Sequence, residues 1–368
     1  MHGSLLKASK IALCYLILHT YCFAQAPADI KLGMSTALSG PAQAIGSQLK
    51  AGANIYFEQL NQSGGIKGAK VDLLVLDDGY EPSRTVNNTR YFIYEKKVDA
   101  LFSFMGTPTI SAIRPLLEHS QTSLLMPFSG ADFLRNNRAI KVFNLRASYF
   151  DEATEQINYL VNERKHTNIA LFIQADEFGI TLEKSLTQLL ANKGLSPSII
   201  TRFRRNSSNV DKALRKIKAS RATAVALIGT YKPLAKFINR AQLKGVKADY
   251  TSVSFASSNE LLARIKSSQL LMITEVVPNP FKCSSRLCNE FRVHTAEYPN
   301  IKIDHVLFEG YLNAVVFSKA AQQCPVNFDD QCILDKLSQL LEHDADLQEL
   351  FNLEAGKKKL PVFRSYSS

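Results

Sequence analysis

Along most of this chain, short apolar blocks alternate with stretches whose apolar positions recur every three or four residues. Asp29–Ser39 predicts a strand, and Gly46–Ser63 a helix with an apolar stripe, stopped by Gly64-Gly65. Lys70–Asp77 predicts the next strand, with a helix after Pro82, a strand at Ala100–Phe104 and a helix after Pro108. Strands at Ser123–Ser129 and Val142–Arg146 complete this series. A second series opens at Ser148 with a helix to Glu163, a strand Asn168–Gln174 and a helix Phe178–Lys193. Strand Ser198–Arg204, helix Asn209–Ser220, strand Thr223–Gly229 and helix Pro233–Lys244 follow, then strands Tyr250–Phe255 and Gln269–Val277. Strands alternating with helices predict parallel sheets covered on both faces. At 368 residues the chain exceeds the size of one core. The expected fold is therefore α/β, with two doubly wound, Rossmann-like lobes.

The first residues do not share this pattern. Lys7 and Lys10 precede an apolar run from Ile11 to Phe23, with small residues at Ala24 and Ala26. A 13-residue run falls short of the roughly 20 that span a membrane, and the sequence over 1–24 reads as a secretory signal. Pro27 disfavours cleavage after Ala26, so the expected cut follows Ala24. Cys22 raises lipidation, against which Tyr21 stands where a small residue is wanted.

Composition is that of an ordinary globular protein, 46% hydrophobic and 21% charged, which excludes disordered, collagenous and polytopic membrane chains. The formal net charge of +11 becomes +9 once Lys7 and Lys10 leave. The densest basic run, from Arg202 to Arg221, includes Arg204, Arg205, Lys212, Arg215, Lys216 and Lys218. No aromatic interleaving accompanies it, so it reads as a strand end plus a solvated helix face, not as a nucleic-acid site.

Four cysteines remain after the leader: Cys283, Cys288, Cys324 and Cys332. In an oxidising compartment they imply two disulfides with three possible connectivities, of which the short local loops Cys283–Cys288 and Cys324–Cys332 are expected. Their spacings, without a nearby histidine pair, fit zinc poorly, and no metal site or cofactor is expected.

Catalytic motifs are missing. There is no Gly-x-Gly-x-x-Gly, Walker loop, His-Glu-x-x-His or Gly-x-Ser-x-Gly. Ser47-x-x-Lys50 matches one β-lactamase element without its partners and sits inside a predicted helix. An enzyme is not expected. The strand ends are more informative. Phe104-Met-Gly-Thr-Pro-Thr109 closes a strand and opens a helix, with Thr107 as the expected N-cap and Pro108 as first helical residue. Such a start points free N–H groups and a positive dipole end into a cleft. Met126-Pro-Phe-Ser-Gly130 places a hydroxyl and bare backbone beside it. Two converging loops of this kind predict an anion-holding site. Asp77 and Asp78 read as turn chemistry before Gly79.

The order of these elements resembles the extracytoplasmic solute-binding proteins of the branched-chain amino-acid (Leu/Ile/Val) type. The resemblance rests on Ile30-Lys-Leu-Gly33, Ala37-Leu-Ser-Gly-Pro41, Asn61-Gln-Ser-Gly-Gly-Ile-Lys-Gly68 and Asp77-Asp-Gly-Tyr-Glu-Pro82. Asp176-Glu-Phe-Gly179, Gly229-Thr-Tyr-Lys-Pro233 and Glu309-Gly-Tyr311 continue it over residues 28–325. It implies the periplasmic binding protein-like type I architecture, two lobes closing on a ligand cleft. With crossovers near Ala147 and Val277–Pro278, lobe 1 is expected over 27–147 plus 278–340, and lobe 2 over 148–277 plus 341–368; a third crossover has only Lys357–Arg364 to form it. Matched motifs imply that Thr107, Phe128, Ser129 and Gly130 hold a ligand carboxylate, and Arg146-Ala-Ser-Tyr149 leads to Asp151. Tyr149 and Tyr231 stand at the ends of elements, where their hydroxyls want polar partners. Asp151 falls near an ammonium position, Phe178 and Tyr231 at aromatic positions of the second lobe, and Ile45 near a side-chain pocket. Ser254 departs from the family, occupying a position where branched-chain binders carry an acid; Asp151 and Asp176 remain as substitutes, or the ligand lacks an ammonium. The resemblance implies a periplasmic receptor that closes around a small amino-acid-like or carboxylate-bearing solute and delivers it to an ABC permease. The alternative is a ligand-sensing periplasmic subunit of a membrane signalling receptor.

Overall fold

The computed structural model describes residues 27–135, 139–266, 270–325, 328–353 and 360–367; the expected leader lies outside them. The first lobe runs β1 (Ile30–Thr36), α1 (Gln43–Gln62), β2 (Val71–Asp77), α2 (Pro82–Arg90), β3 (Ala100–Phe102), α3 (Thr107–Ser120), β4 (Leu124–Leu125) and β5 (Val142–Phe143). The chain then crosses into α4 (Tyr149–Ile157), β6 (Ile169–Gln174), α5 (Glu177–Ala191), β7 (Ile199–Phe203), α6 (Asp211–Ser220), β8 (Ala224–Ile228), α7 (Tyr231–Leu243), β9 (Asp249–Ser252), α8 (Ser258–Leu262) and β10 (Leu271–Glu275). It returns to the first lobe for α9 (Arg286–Ala296), α10 (His305–Gln322), α11 (Asp330–His343) and α12 (Ala345–Phe351), and ends in β11 (Phe363–Tyr366).

Both sheets are wound alike. The first has the order β2-β1-β3-β4-β5, all parallel; the second is β7-β6-β8-β9-β10 with β11 added antiparallel to β10. Each therefore reverses direction once, between β1 and β3 and between β6 and β8. In open α/β sheets that switch point opens a crevice at the strands' carboxyl ends.

Local departures from the predicted elements have physical causes. The strand expected over Ser123–Ser129 pairs as β4 over two residues only, because Met126 turns to a positive φ of 49° and Pro127 has no N–H to give the ladder. A single bridge, Met105 to Phe128, replaces it and brings the β3 and β4 ends together. The helix expected to Glu163 is α-helical to Ile157 and then widens into a π-turn over Asn158–Glu163. Sixteen of the 18 residues of α10 are buried, and the helix lies tightly on α1: a Cβ on Gly52 would stand 1.9 Å from the Leu307 carbonyl oxygen.

The boundary expected at 340/341 is displaced. Helix α11 continues to His343, and Leu347, Leu350 and Phe351 of α12 are buried in the first lobe's core with α9 and α10. Only β11 joins the second sheet, so the third crossover follows Leu360, itself still in the first lobe's core. The apolar face of α12 holds that segment on lobe 1, together with the bonds of Lys319 to Asp344 and of Arg286 to Asp346.

Cys283–Cys288 and Cys324–Cys332 are disulfide-bonded, with Cα separations of 6.0 and 5.9 Å. Loops this short close little chain entropy, so replacing either pair by serine is expected to cost about 2 kcal/mol, read from urea unfolding. A loss below about 0.5 kcal/mol for both pairs would count against the chain-entropy account.

Candidate ligand-binding site

The carboxyl ends of the switch-point strands meet across the two lobes. From lobe 1 come the loop after β1, with Ile45 in the first turn of α1, and the start of α3; from lobe 2 come the starts of α4, α5 and α7. Thr107, Ser129, Gly130, Phe128, Tyr149, Phe178, Tyr231, Ser254 and Ile45 are all buried there.

Thr107 is not the N-cap. Gly106 caps α3 at φ 105°, and Thr107 is the first helical residue. Its hydroxyl is thereby free to bond Ser129 Oγ at 2.8 Å and donate to Tyr149 Oη at 3.3 Å. Tyr149 opens α4 on the other lobe, so this trio bridges the cleft, and burial pushes the Tyr149 phenol up to about 12. Beside the trio, the Gly130 N–H makes no hydrogen bond among the described residues, while its carbonyl accepts from Tyr149 N at 2.8 Å. A Cβ at Gly130 would stand 2.7 Å from the Tyr149 ring and 2.8 Å from its nitrogen, so only glycine lets the two lobes approach here. Three hydroxyls, a helix start and an unspent amide form a donor-rich corner suited to a carboxylate.

An aromatic wall faces it. Phe255 packs against Phe178 (ring centres 4.7 Å apart), Phe128 (5.4 Å) and Tyr80 (5.8 Å), and Phe178 against Tyr149 (5.3 Å). Tyr80 and Phe255 were not among the expected site residues; their places at the end of β2 and after β9 were the available signal.

The lobes are in contact along the cleft mouth. Glu81 accepts from Arg205 at 3.0 Å and from Asn206 at 2.6 Å, Gln174 donates to Tyr80 Oη at 3.2 Å, and Ala44 N donates to Tyr231 Oη at 3.4 Å. A cavity of about 410 Å³ opens here, lined by Glu81, Ala175 and Arg204 to Ser207, and the expected ligand residues do not line it. It lies beside the Glu81–Arg205 contact.

The acids expected near a ligand ammonium are engaged elsewhere. Asp151 forms a capping box with Ser148, accepting from its hydroxyl at 2.6 Å and from its N–H at 3.3 Å. Asp176 caps α5 and accepts from Gln174 at 2.7 Å and Arg205 at 3.3 Å. Asp77 gathers Leu38 N, Ser39 and Gly79 N, fixing the turn after β1; these bonds and Arg84 hold its carboxyl well below the usual range despite partial burial. Asp78 takes bonds from Ser35, Tyr80 N and Thr85.

Behind the site, the first two crossovers share a buried charged cluster. Arg146 gives both Glu309 oxygens a bond at 3.1 Å, donates to Ser254 Oγ, and stacks over Phe128 at 4.1 Å. Glu152 accepts from Ser254 N at 2.8 Å, Ser254 Oγ at 3.1 Å and Thr274 at 2.6 Å. Ser254 thus spends its polar atoms on the hinge, not on the cleft. Burial pushes Glu309 up to about 7, opposed by Arg146, and Glu275 up to about 8, while it holds the neighbouring His305 down at about 4.

A pH dependence follows from Glu275. Unfolded, this carboxyl ionises near 4.5; folded, it keeps its proton to about 8. The folded state binds the extra proton between those values, so stability falls as pH rises from about 5 to about 8, by up to about 1.4 kcal/mol per pH unit. Glu275→Gln is expected to flatten that slope in urea titrations; an unchanged slope would show that Glu275 is ionised in the fold.

Comparison with known proteins places this geometry. An amino-acid-binding protein of Pseudomonas aeruginosa is 23% identical over 64% of this chain and 63% of its own length. A Leu/Ile/Val-binding protein homologue of Brucella melitensis is 26% identical over 45% of each. The chain thus spans less than two-thirds of the length of these curated relatives. The crystal structure of a possible leucine/isoleucine/valine-binding protein from Rhodopirellula baltica superposes with a TM-score of 0.82 at 27% identity, covering 92% of this chain and 94% of that one. The family described as periplasmic binding protein, an extracytoplasmic and non-enzymatic solute-binding class, matches residues 29–351. With its two type I lobes and a cleft at both switch points, the chain belongs to the periplasmic binding protein family.

Proposed function

We propose that this protein is a periplasmic receptor that closes on a small carboxylate-bearing solute lacking an ammonium and delivers it to an ABC permease. The observation that carries this reading is the donor corner of Thr107, Ser129, Tyr149 and the unspent Gly130 N–H, set against an aromatic wall. The carboxylate sits in that corner, and the apolar body of the solute lies along Phe128, Phe178 and Phe255. Asp151, Asp176 and Glu152 are each held by partners of their own, and Ser254 is turned to the hinge, which leaves an α-ammonium without a dedicated acid. Ile45 and Tyr231 close the far end of the cleft through the Ala44–Tyr231 contact. The solute works as a clasp: it touches both lobes only when they are closed, and so shifts the hinge equilibrium.

Titration calorimetry with matched pairs tests the ligand class: leucine and phenylalanine against 4-methylpentanoate, phenylpropionate and benzoate. Binding of the plain acids, with the amino acids at least about tenfold weaker, is the expected result, since a buried ammonium without a partner is costly. Tighter binding of the amino acids overturns the ammonium-free reading; binding of neither series overturns the carboxylate site. Uptake of the bound acid by cells, lost on deleting the gene and restored by supplying it, tests delivery.

A further inference from the structure

The charge of this chain is concentrated in one stretch. Residues 202–249 hold thirteen lysines and arginines against two aspartates, a net +11 equal to that of all 368 residues, so the remainder sums to zero. The fold gathers this stretch on one side of lobe 2. The β7-to-β8 and β8-to-β9 connections run in the same direction across the sheet, and right-handed crossovers then place α6 and α7 on one face. Lys218 Nζ joins the two helices through the Lys244 carbonyl at 2.7 Å.

On α6, Ala213, Leu214 and Ile217 turn inward, and Lys212, Arg215, Lys216 and Lys218 are exposed. Arg221, Lys244 and Lys247 extend that surface. Among the described residues none of these seven makes an ion pair, whereas the arginines at the borders do: Arg202 with Glu183, Arg205 with Glu81 and Arg240 with Asp211. Like charges three and four positions apart on a helix repel, so the fold itself gains nothing from Lys212, Arg215 and Lys216 together. An external anion does.

Two further observations indicate its kind. Lys218, Arg221 and Lys247 line a groove of about 220 Å³ between the end of α6 and the α7–β9 turn, the scale of a phosphate-bearing head group. At the end of α7, between Arg240 and Lys244, Leu243 is 84% exposed, more than any other large apolar side chain described. One exposed leucine alone is unremarkable on a protein surface; one beside the unpaired Lys244 and Lys247 is the pattern of a membrane-interface contact.

We propose that the α6–α7 face holds the protein against an anionic phospholipid surface, the cations on the phosphates and Leu243 at the acyl boundary. This reading does not depend on the cleft's ligand. The test is co-sedimentation of the mature, disulfide-bonded protein with vesicles of phosphatidylglycerol in phosphatidylcholine, and of phosphatidylcholine alone. Binding to the anionic vesicles only, falling steeply with salt, is expected. A variant carrying Lys212→Gln, Arg215→Gln, Lys216→Gln and Lys218→Gln should bind several hundredfold more weakly, at roughly fivefold per charge. Its thermal melt, which these exposed positions leave nearly unchanged, shows that it is folded. Leu243→Ser should weaken binding severalfold while leaving the salt dependence intact. No binding of the parent protein to anionic vesicles, equal binding to neutral ones, or full binding by the quadruple variant each overturns the proposal; the first outcome points to an acidic protein surface instead.

Discussion

Replacing Arg146 by methionine is expected to destabilise the protein by about 3–5 kcal/mol, the cost of stranding a buried charge. Arg146 is 2% exposed and lies among Glu309, Glu152 and Glu275, all of them buried. Its guanidinium is the cation that balances them: it binds both oxygens of Glu309, and its field opposes the upward push of burial on Glu309 and Glu152. Methionine fills similar volume and keeps a contact with the Phe128 ring, so the loss is electrostatic and not one of packing. Equilibrium urea unfolding measures it. A second substitution, Glu309→Leu, should recover most of the loss in the Arg146→Met background, since two apolar side chains replace a buried ion pair at little cost. That coupling is read from a double-mutant cycle. If Arg146→Met costs under about 1 kcal/mol, the cluster is neutralised by protonation alone and the arginine is not what holds it.

What the sequence disclosed is what local pattern encodes. The β1, β2, β6 and β8 strands stand where alternating apolar blocks predicted them, because each is paired on both sides or covered by helices. Thr107, Ser129 and Tyr149 could be chosen because each lies at a junction of strand end and helix start, and doubly wound sheets bring such junctions together. The donor corner was legible for that reason alone. The hinge was not. Arg146 meets Glu309 across 163 residues, and Glu152 meets Ser254 across 102, separations at which no single-chain pattern carries information. One error was avoidable. Ser148-x-x-Asp151 is a capping-box spacing, which assigns Asp151 to the helix end and leaves Glu152 as the acid that turns inward. Thr107 was misread as a cap for a different reason: the preceding Gly106 takes the positive-φ position and does the capping with backbone alone. The tail was ambiguous because its helices and its strand belong to different lobes, a division set by which apolar faces remain uncovered after the rest has folded.

Thr107→Val is expected to leave the fold nearly intact and weaken solute binding ten- to hundredfold. Because Gly106, not Thr107, caps α3, no cap is lost. The hydroxyl's two partners are Ser129 and Tyr149, and valine keeps the shape, so stability should fall by only about 1 kcal/mol. With the solute in place, the same hydroxyl donates to a carboxylate in a site closed to water, where a bond to a charged group contributes about 1.5–3 kcal/mol. That difference is the tenfold to hundredfold in Kd. Ser129→Ala should behave alike, and the double variant should lose less than the sum, since both hydroxyls serve one anion. Calorimetric titration of the acid identified for the parent protein, paired with a thermal melt, separates the two effects. If the melt falls and the affinity holds, Thr107 only braces Ser129 and Tyr149 across the cleft, and the carboxylate sits nearer the cavity at Arg204 and Arg205.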